Sequence, residues 1–364
     1  MKIKTITCHE VYNYGASLQE YALLTFLNDI GHEAQTLHYK PSYLSGHFNL
    51  KTVSNPNFDK PFIRIIYLIA KLPMRLKALS KKKAFDKFHI QYIPTDRILY
   101  RTNEDLKNNL PNADAFICGS DQIWNSFFLN GRDPAFYLNF VPDRIRKISY
   151  AASFAIDNLE ESVKILVKEN VSRFANVSIR ETSGVRILNE LGVKDAVQVL
   201  DPVFLLNREH WQKFVTPITE RFVFVYDFDS NVVIKEIALY LKKNQGYKIY
   251  TVNQNIDYAD KNFWLEGPEK FLSLVTQSQF NLTNSFHSTA FSILFEKEVF
   301  VVNRSEKINT RMRDLLFLMG IPQYLITSLD EFKNLPSINF NEVRKLKDFH
   351  IMRSKEFLVS ALKE

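Results

Sequence analysis

The chain has 364 residues, more than one hydrophobic core usually serves, and its 46% hydrophobic and 24% charged residues describe a globular protein with two domains. With 30 Phe, 16 Tyr, only 10 Gly and no self-similar period, it is neither a repeat array nor a chain of flexible linkers. The formal net charge of +7 allows an anionic partner, yet nothing matches a nucleic-acid-binding module, and two cysteines exclude a disulfide framework.

The opening MKIKTITCHE lacks the apolar core of a signal peptide. The strongest apolar run, Ile63 to Leu72, is too short to span a bilayer and carries Arg64 and Lys71. The expectation is a soluble, cytoplasmic protein.

Ile3 to Thr7 reads as a buried strand, followed by a loop (HEVYNYGAS) and a helix from Leu18 to Asn28. Gly31 closes that helix, and Glu33 to Tyr39 is the next strand, completing a parallel unit. Residues 41–110 are less regular and contain a basic amphipathic stretch, Pro61 to His89, read as one or two surface helices. Ligand specificity is expected to lie in this irregular region. The pattern resumes with strands at Ala113 to Cys118, Ile148 to Ala151, Val177 to Arg180 and Ala196 to Leu200. Helices at Glu160 to Ala175 and Ser183 to Leu191 separate the last three.

Asp201-Pro202 reads as the seam between domains, because proline ends a strand and redirects the chain. A second alternation follows, with strands at Phe222 to Tyr226, Lys248 to Val252, Phe280 to Thr283 and Val299 to Asn303. Its helices are Asn231 to Lys243, Pro268 to Gln277 and Ser288 to Glu296. The fold class is therefore α/β: Rossmann-like domains at 1–202 and 203–340 facing a cleft, with a C-terminal helix (341–364) packing back on the first. Ligands in such folds bind beyond the carboxyl ends of strands.

Four loops carry the candidate chemistry. In NLTNSFHSTAFSILF, Ser285 caps a helix whose first turn holds His287, and free N–H groups there suit a phosphate. Ser285, Ser288 and Thr289 add hydroxyl donors, and His287 would sit beside the anion; a capped core helix is the plainer alternative. In GSDQIWN, Ser120 and Asp121 follow a turn at Gly119, and Trp124 offers a face to a sugar ring. A helix-capping Asp121 with Trp124 in the core fits the spacing equally. In SIRE, Arg180 could clamp a carboxylate or phosphate, or pair internally. The fourth, Asn13 to Gly15, is no dinucleotide fingerprint. The chain also lacks a P-loop, a G-x-S-x-G elbow, H-E-x-x-H and any evident metal-ligand cluster.

The ordered set NYGASLQEYAL, ICGSDQIWN, SYAASF, SIRE, VLDPVFLL and TNSFHSTAFSILF, followed by VFVV, resembles the polysaccharide pyruvyl transferase family. The resemblance implies a GT-B-like fold and transfer of the pyruvyl group of phosphoenolpyruvate onto a sugar as a cyclic ketal, in exopolysaccharide or capsule biosynthesis. Phosphoenolpyruvate is then a donor substrate, and no cofactor or metal is expected. It further implies His287 as general acid and Arg180 as donor clamp, with Arg311 or Arg313 assisting and Asp121 as base or hydroxyl ligand. Many relatives carry Gly where this chain has Ser288. A lipid-linked acceptor would let the basic stretch dock at the inner membrane face. Two other readings stay open: a glycosyltransferase using a nucleotide sugar, and a non-catalytic saccharide-binding protein.

Overall fold

Two parallel sheets organise the chain in a computed structural model that describes residues 1–44, 48, 53, 58–305 and 308–363. The first contains β1 (Lys2–Ile6), β2 (Glu33–Tyr39), β3 (Thr95–Tyr100), β4 (Ala115–Cys118), β5 (Arg146–Ala152), β6 (Asn176–Ile179) and β7 (Val197–Gln198). The second contains β8 (Phe222–Tyr226), β9 (Lys248–Thr251), β10 (Lys261–Asn262), β11 (Phe280–Thr283) and β12 (Val299–Val301). Their orders are β3-β2-β1-β4-β5-β6-β7 and β10-β9-β8-β11-β12. Central strands such as β4 and β8 are buried at every residue, as helices on both faces require.

The first sheet carries α1 (Tyr14–Asp29), α2 (Pro61–Tyr92), α3 (Asn103–Asn108), α4 (Glu161–Val171) and α5 (Thr182–Glu190). After α6 (Arg208–Gln212), the second carries α7 (Val232–Gln245), α8 (Pro268–Gln277), α9 (Phe286–Leu294), α10 (Thr310–Leu318) and α11 (Leu329–Asn334). The final helix, α12 (Phe340–Lys363), returns to the first domain: Ser354 Oγ accepts from the Leu200 N–H at 2.9 Å, and Arg146 bonds the Ala361 carbonyl at 3.2 Å.

Strand order reverses between β1 and β4 in the first sheet and between β8 and β11 in the second. A crevice opens at such a switch point because the flanking loops depart to opposite faces. The two switch points meet through α1, whose Tyr14 ring stacks on Phe271 of α8 at 5.3 Å. One apolar core, running from Ile3 and Leu18 to Phe271 and Phe291, joins the halves.

Two local features differ from the sequence expectation, and a third falls within it. Helix α1 begins at Tyr14, four residues early, because the Asn13 side chain caps it by accepting from Gly15 and Ala16 N–H at 3.0 and 3.3 Å. Strand β3 and the two-residue β10 were not expected. Edge positions with exposed, mixed side chains leave little apolar alternation to read. The basic stretch is one 32-residue helix with Pro73 inside it. Part of the irregular 41–110 region lies outside the described residues.

Candidate active site

Six strand ends converge between the domains. The loop after β1 delivers Asn13 and Gly15, the loop after β4 delivers Ser120 and Asp121, and β6 ends in Arg180. From the other side, β11 leads through Ser285 into α9 with His287, and α10 follows β12 with Arg311. Asp201, which follows β7, lies at the centre and is 1% exposed. Its Oδ2 accepts from Arg180 Nη1 and lies 3.3 Å from Ser120 Oγ and 3.5 Å from His287 Nε2. Asp121 Oδ1 accepts from Arg180 Nη2 and from Arg311 Nη1, each at 3.3 Å. Phe286 supplies a flat wall: the guanidinium carbons of Arg180 and Arg311 lie 4.4 and 5.4 Å from its ring centroid.

Electrostatics follow from this packing. Burial would raise the Asp201 carboxyl, but His287 and Arg180 outweigh it and hold the group well below the usual carboxylate range. Asp121 is likewise raised by burial and lowered further by Arg180, His287 and Arg311, with a net downward shift. Arg311 is pushed down to about 9 by burial and by neighbouring Arg180. Such a cation gains by receiving an anion. A depressed carboxyl is a weak base, so Asp121 suits the holding role better than proton abstraction.

Gly15 decides where His287 can lie. A Cβ at Gly15 would stand 1.9 Å from His287 Nδ1, so the imidazole occupies the space that a side chain would take. From sequence, Gly15 is, with Asn13, a candidate substrate-binding residue of the first loop. Its purpose is close approach between two helix starts.

Ser285 caps α9, accepting from Ser288 N–H at 3.4 Å. The Thr289 hydroxyl is already spent on the Ser285 carbonyl at 3.0 Å, so its reading as a free donor is corrected. Ser288 Oγ is buried with no hydrogen-bond partner. Two further readings are overturned. Trp124 is fully buried, donates to the Phe136 carbonyl at 2.9 Å and stacks on Tyr137, so it packs the core and cannot meet a sugar. Arg313 points away from the network, half-exposed, and pairs with Asp157 at 3.0 Å. The helical period explains this, since neighbours on α10 face about 100° apart and only Arg311 turns inward.

Asp201 and Phe286 were missed. Asp201 was legible only as a domain seam, and Phe286 was given no role of its own. Beside the network, a cavity of about 290 Å³ is lined by Tyr12, Asn13, Lys81, Asn253 and Trp264, among others. Trp264, in the loop after β10, offers the half-buried aromatic face that had been sought in Trp124.

The family model for polysaccharide pyruvyl transferase matches residues 13–306. Comparison with curated proteins finds no match. Among solved structures, the chain is similar to UDP-GlcNAc 2-epimerase from Neisseria meningitidis bound to UDP-GlcNAc, with 11% identity over 100% of this chain and 99% of that one, at a TM-score of 0.45. Heptosyltransferase WaaC of E. coli with ADP has 9% identity, coverage of 96% and 100%, and a TM-score of 0.40. UGT89C1 of Arabidopsis thaliana, complexed with UDP-L-rhamnose, has 11% identity, 98% coverage of each chain and a TM-score of 0.48. Because the matched segment covers well over half of the chain, including most of both sheets, the chain belongs to the polysaccharide pyruvyl transferase family and is a transferase of polysaccharide pyruvylation.

Proposed function

We propose that the protein transfers the pyruvyl group of phosphoenolpyruvate to a sugar of a polysaccharide or lipid-linked precursor, closing a cyclic ketal. One observation carries this reading. Three polar atoms of the cleft, Arg180 Nε, Arg311 Nε and Ser288 Oγ, are buried without a hydrogen-bond partner, while His287 Nε2 lies 3.5 Å from Asp201 Oδ2. Unpaired buried donors are costly, about 1–3 kcal/mol each, and an anion with several acceptor oxygens would satisfy them together. The first-turn N–H groups of α9 point the same way, having no carbonyl one turn earlier to bond.

In this reading, Arg180, Arg311 and Ser288 hold the donor's carboxylate and phosphate. His287, held beside Asp201, passes a proton to the methylene carbon, leaving an oxocarbenium-like centre that a sugar hydroxyl attacks. Inorganic phosphate leaves with its bridging oxygen, and a second hydroxyl of the same sugar closes the ring. One hydroxyl proton restores His287 and the other leaves with the phosphate, so the transfer balances. The sugar lies in the adjoining cavity, its apolar face on Trp264. We expect purified protein to release phosphate from phosphoenolpyruvate only with a suitable acceptor, which gains a pyruvyl-sized mass. His287→Ala should slow this by about 10²–10⁴-fold, the usual worth of a general acid. Unchanged turnover in His287→Ala, or protection by a nucleotide sugar and none by phosphoenolpyruvate in thermal shift, would sink the reading.

The N-terminal part of α2 fits an anionic membrane surface. Phe62, Ile65, Ile66 and Ile69 are each more than half exposed, beside Arg64 and Lys71. Among the described residues no helix is long and apolar enough to cross a membrane. The Lys81 to Lys83 triplet is the wrong target for testing this contact. Lys81 lines the cavity and lies 5.0 Å from the Tyr14 ring centroid, and Lys82 pairs with Asp86 at 2.6 Å. Flotation with anionic liposomes should instead be lost in Phe62→Ser/Ile66→Ser/Ile69→Ser; equal flotation of that variant would refute the contact.

A further inference from the structure

Behind the cleft, the loop after β1 gathers ligand-type groups that the proposed reaction does not use. His9, Glu10 and His89 each offer one ligand atom, all within 4.8 Å of one another. His9 and His89 are 2% and 4% exposed. His9 Nε2 and His89 Nδ1 have no hydrogen-bond partner, although burial makes that costly. His9 Nε2 lies 3.5 Å from Glu10 Oε1. Two ligands on bonds of about 2.0–2.1 Å in a tetrahedron stand about 3.4 Å apart, so this edge already has the right length.

The remaining atoms of the three residues are engaged as well, two by α1 and one from the end of β2. His9 Nδ1 lies 2.8 Å from Glu20 Oε1 on α1. His89 Nε2 lies 2.8 Å from Ser17 Oγ, also on α1. Glu10 Oε2 accepts from Lys40, just after β2, which leaves Oε1 as the outward oxygen. Metal-binding histidines almost always present one nitrogen to the ion while the other is fixed by a carboxylate, hydroxyl or carbonyl, and ligating carboxylates are held likewise. All three residues here show that arrangement. The formal charges also suit a cation, because Glu10 and Glu20 together outweigh Lys40.

We propose that His9, Glu10 and His89 bind a first-row divalent cation, zinc by donor chemistry, with Glu20, Ser17 and Lys40 orienting the ligands. Two imidazoles and one carboxylate disfavour magnesium and calcium, which take oxygen ligands. The sequence concealed the group because His89 comes from the far end of α2, well removed from the adjacent His9 and Glu10. The ion ties that end of α2 to the β1 loop and to α1, the helix whose Gly15 touches His287. Its role is structural and independent of the proposed reaction.

The test uses chelator-treated, dialysed full-length protein titrated with Zn²⁺ by calorimetry and with Co²⁺ by visible absorption. We expect one ion per chain, with the cobalt spectrum of a nitrogen-ligated site. Glu10→Gln and His89→Gln should abolish it, Ser17→Ala should weaken it about 10–100-fold, and His287→Ala should leave it intact. Circular dichroism monitors the fold. Should His89→Gln fail to fold, Glu10→Gln decides, since its side chain is 20% exposed and packs less of the core. No saturable uptake by folded wild type, or uptake unchanged in Glu10→Gln, overturns the proposal and leaves an ion pair of His9 with its carboxylates.

Discussion

Gly15→Ala is expected to disable the enzyme about as thoroughly as His287→Ala while leaving the fold standing. The added methyl would lie 1.9 Å from His287 Nδ1 and 2.2 Å from its Cγ, far inside any allowed contact. The ring cannot yield by small motion, because Asp201 and the Phe286 edge bound it on other sides. It must swing to another rotamer, and Nε2 then leaves the cluster of Arg180, Arg311 and Ser288. The backbone of α1 has no complaint: Gly15 sits in the first helical turn, capped by Asn13, where alanine is the better helix former by about 0.5–1 kcal/mol. Turnover should therefore fall about 10²-fold or more through kcat, with little change in melting temperature. The double variant Gly15→Ala/His287→Ala should lose no more than His287→Ala alone, since both act on one ring. Additive losses would show that Gly15 serves something other than the histidine.

The parts of the molecule that could be read from sequence were those with a strong period or a local cap. The buried runs of β1, β4, β8 and β11 announced two parallel sheets, and Ser285 announced the start of α9. Positions set by long-range packing were silent. Asp201 is the common anion for Arg180, Ser120 and His287, yet beside Pro202 it looked like a connector. Trp124 and Trp264 are both aromatic residues in loops, and only the tertiary fold tells which faces the core. Arg311 and Arg313 differ by half a helical turn, and without the helix phase either could have reached the cleft. His9 and His89 gave no motif because their partnership runs through a long helix whose entry lies beyond an irregular segment. Chemistry that rests on one strand–loop–helix is legible; chemistry assembled from six strand ends shows its parts but not its joins.

Arg180→Ala should be the most destabilising single change in the cleft, by about 3–5 kcal/mol at neutral pH in urea unfolding. The guanidinium is 4% exposed and is the group that Asp201 and Asp121 share. Its removal leaves two carboxylates facing each other with only His287 and Arg311 to answer them, and burial prevents water from replacing it. Arg180→Lys returns the charge but not the fork, because one ammonium cannot bond both carboxylates along separate Nη directions while lying flat on Phe286. The pH dependence follows from the direction of the Asp201 and Asp121 shifts. Both carboxyls sit below their ordinary value in the folded protein, so their stabilisation is present above the unfolded pKa of about 3.9 and disappears as pH falls through the folded one. Without Arg180 much of that depression is lost, and His287 and Arg311 hold the remainder. The difference between wild type and variant should thus be widest near neutrality and narrow below about pH 4, as wild type loses what the variant never had. A deficit that stays constant across that range would mean the arginine stabilises by packing on Phe286 and not through the two carboxylates.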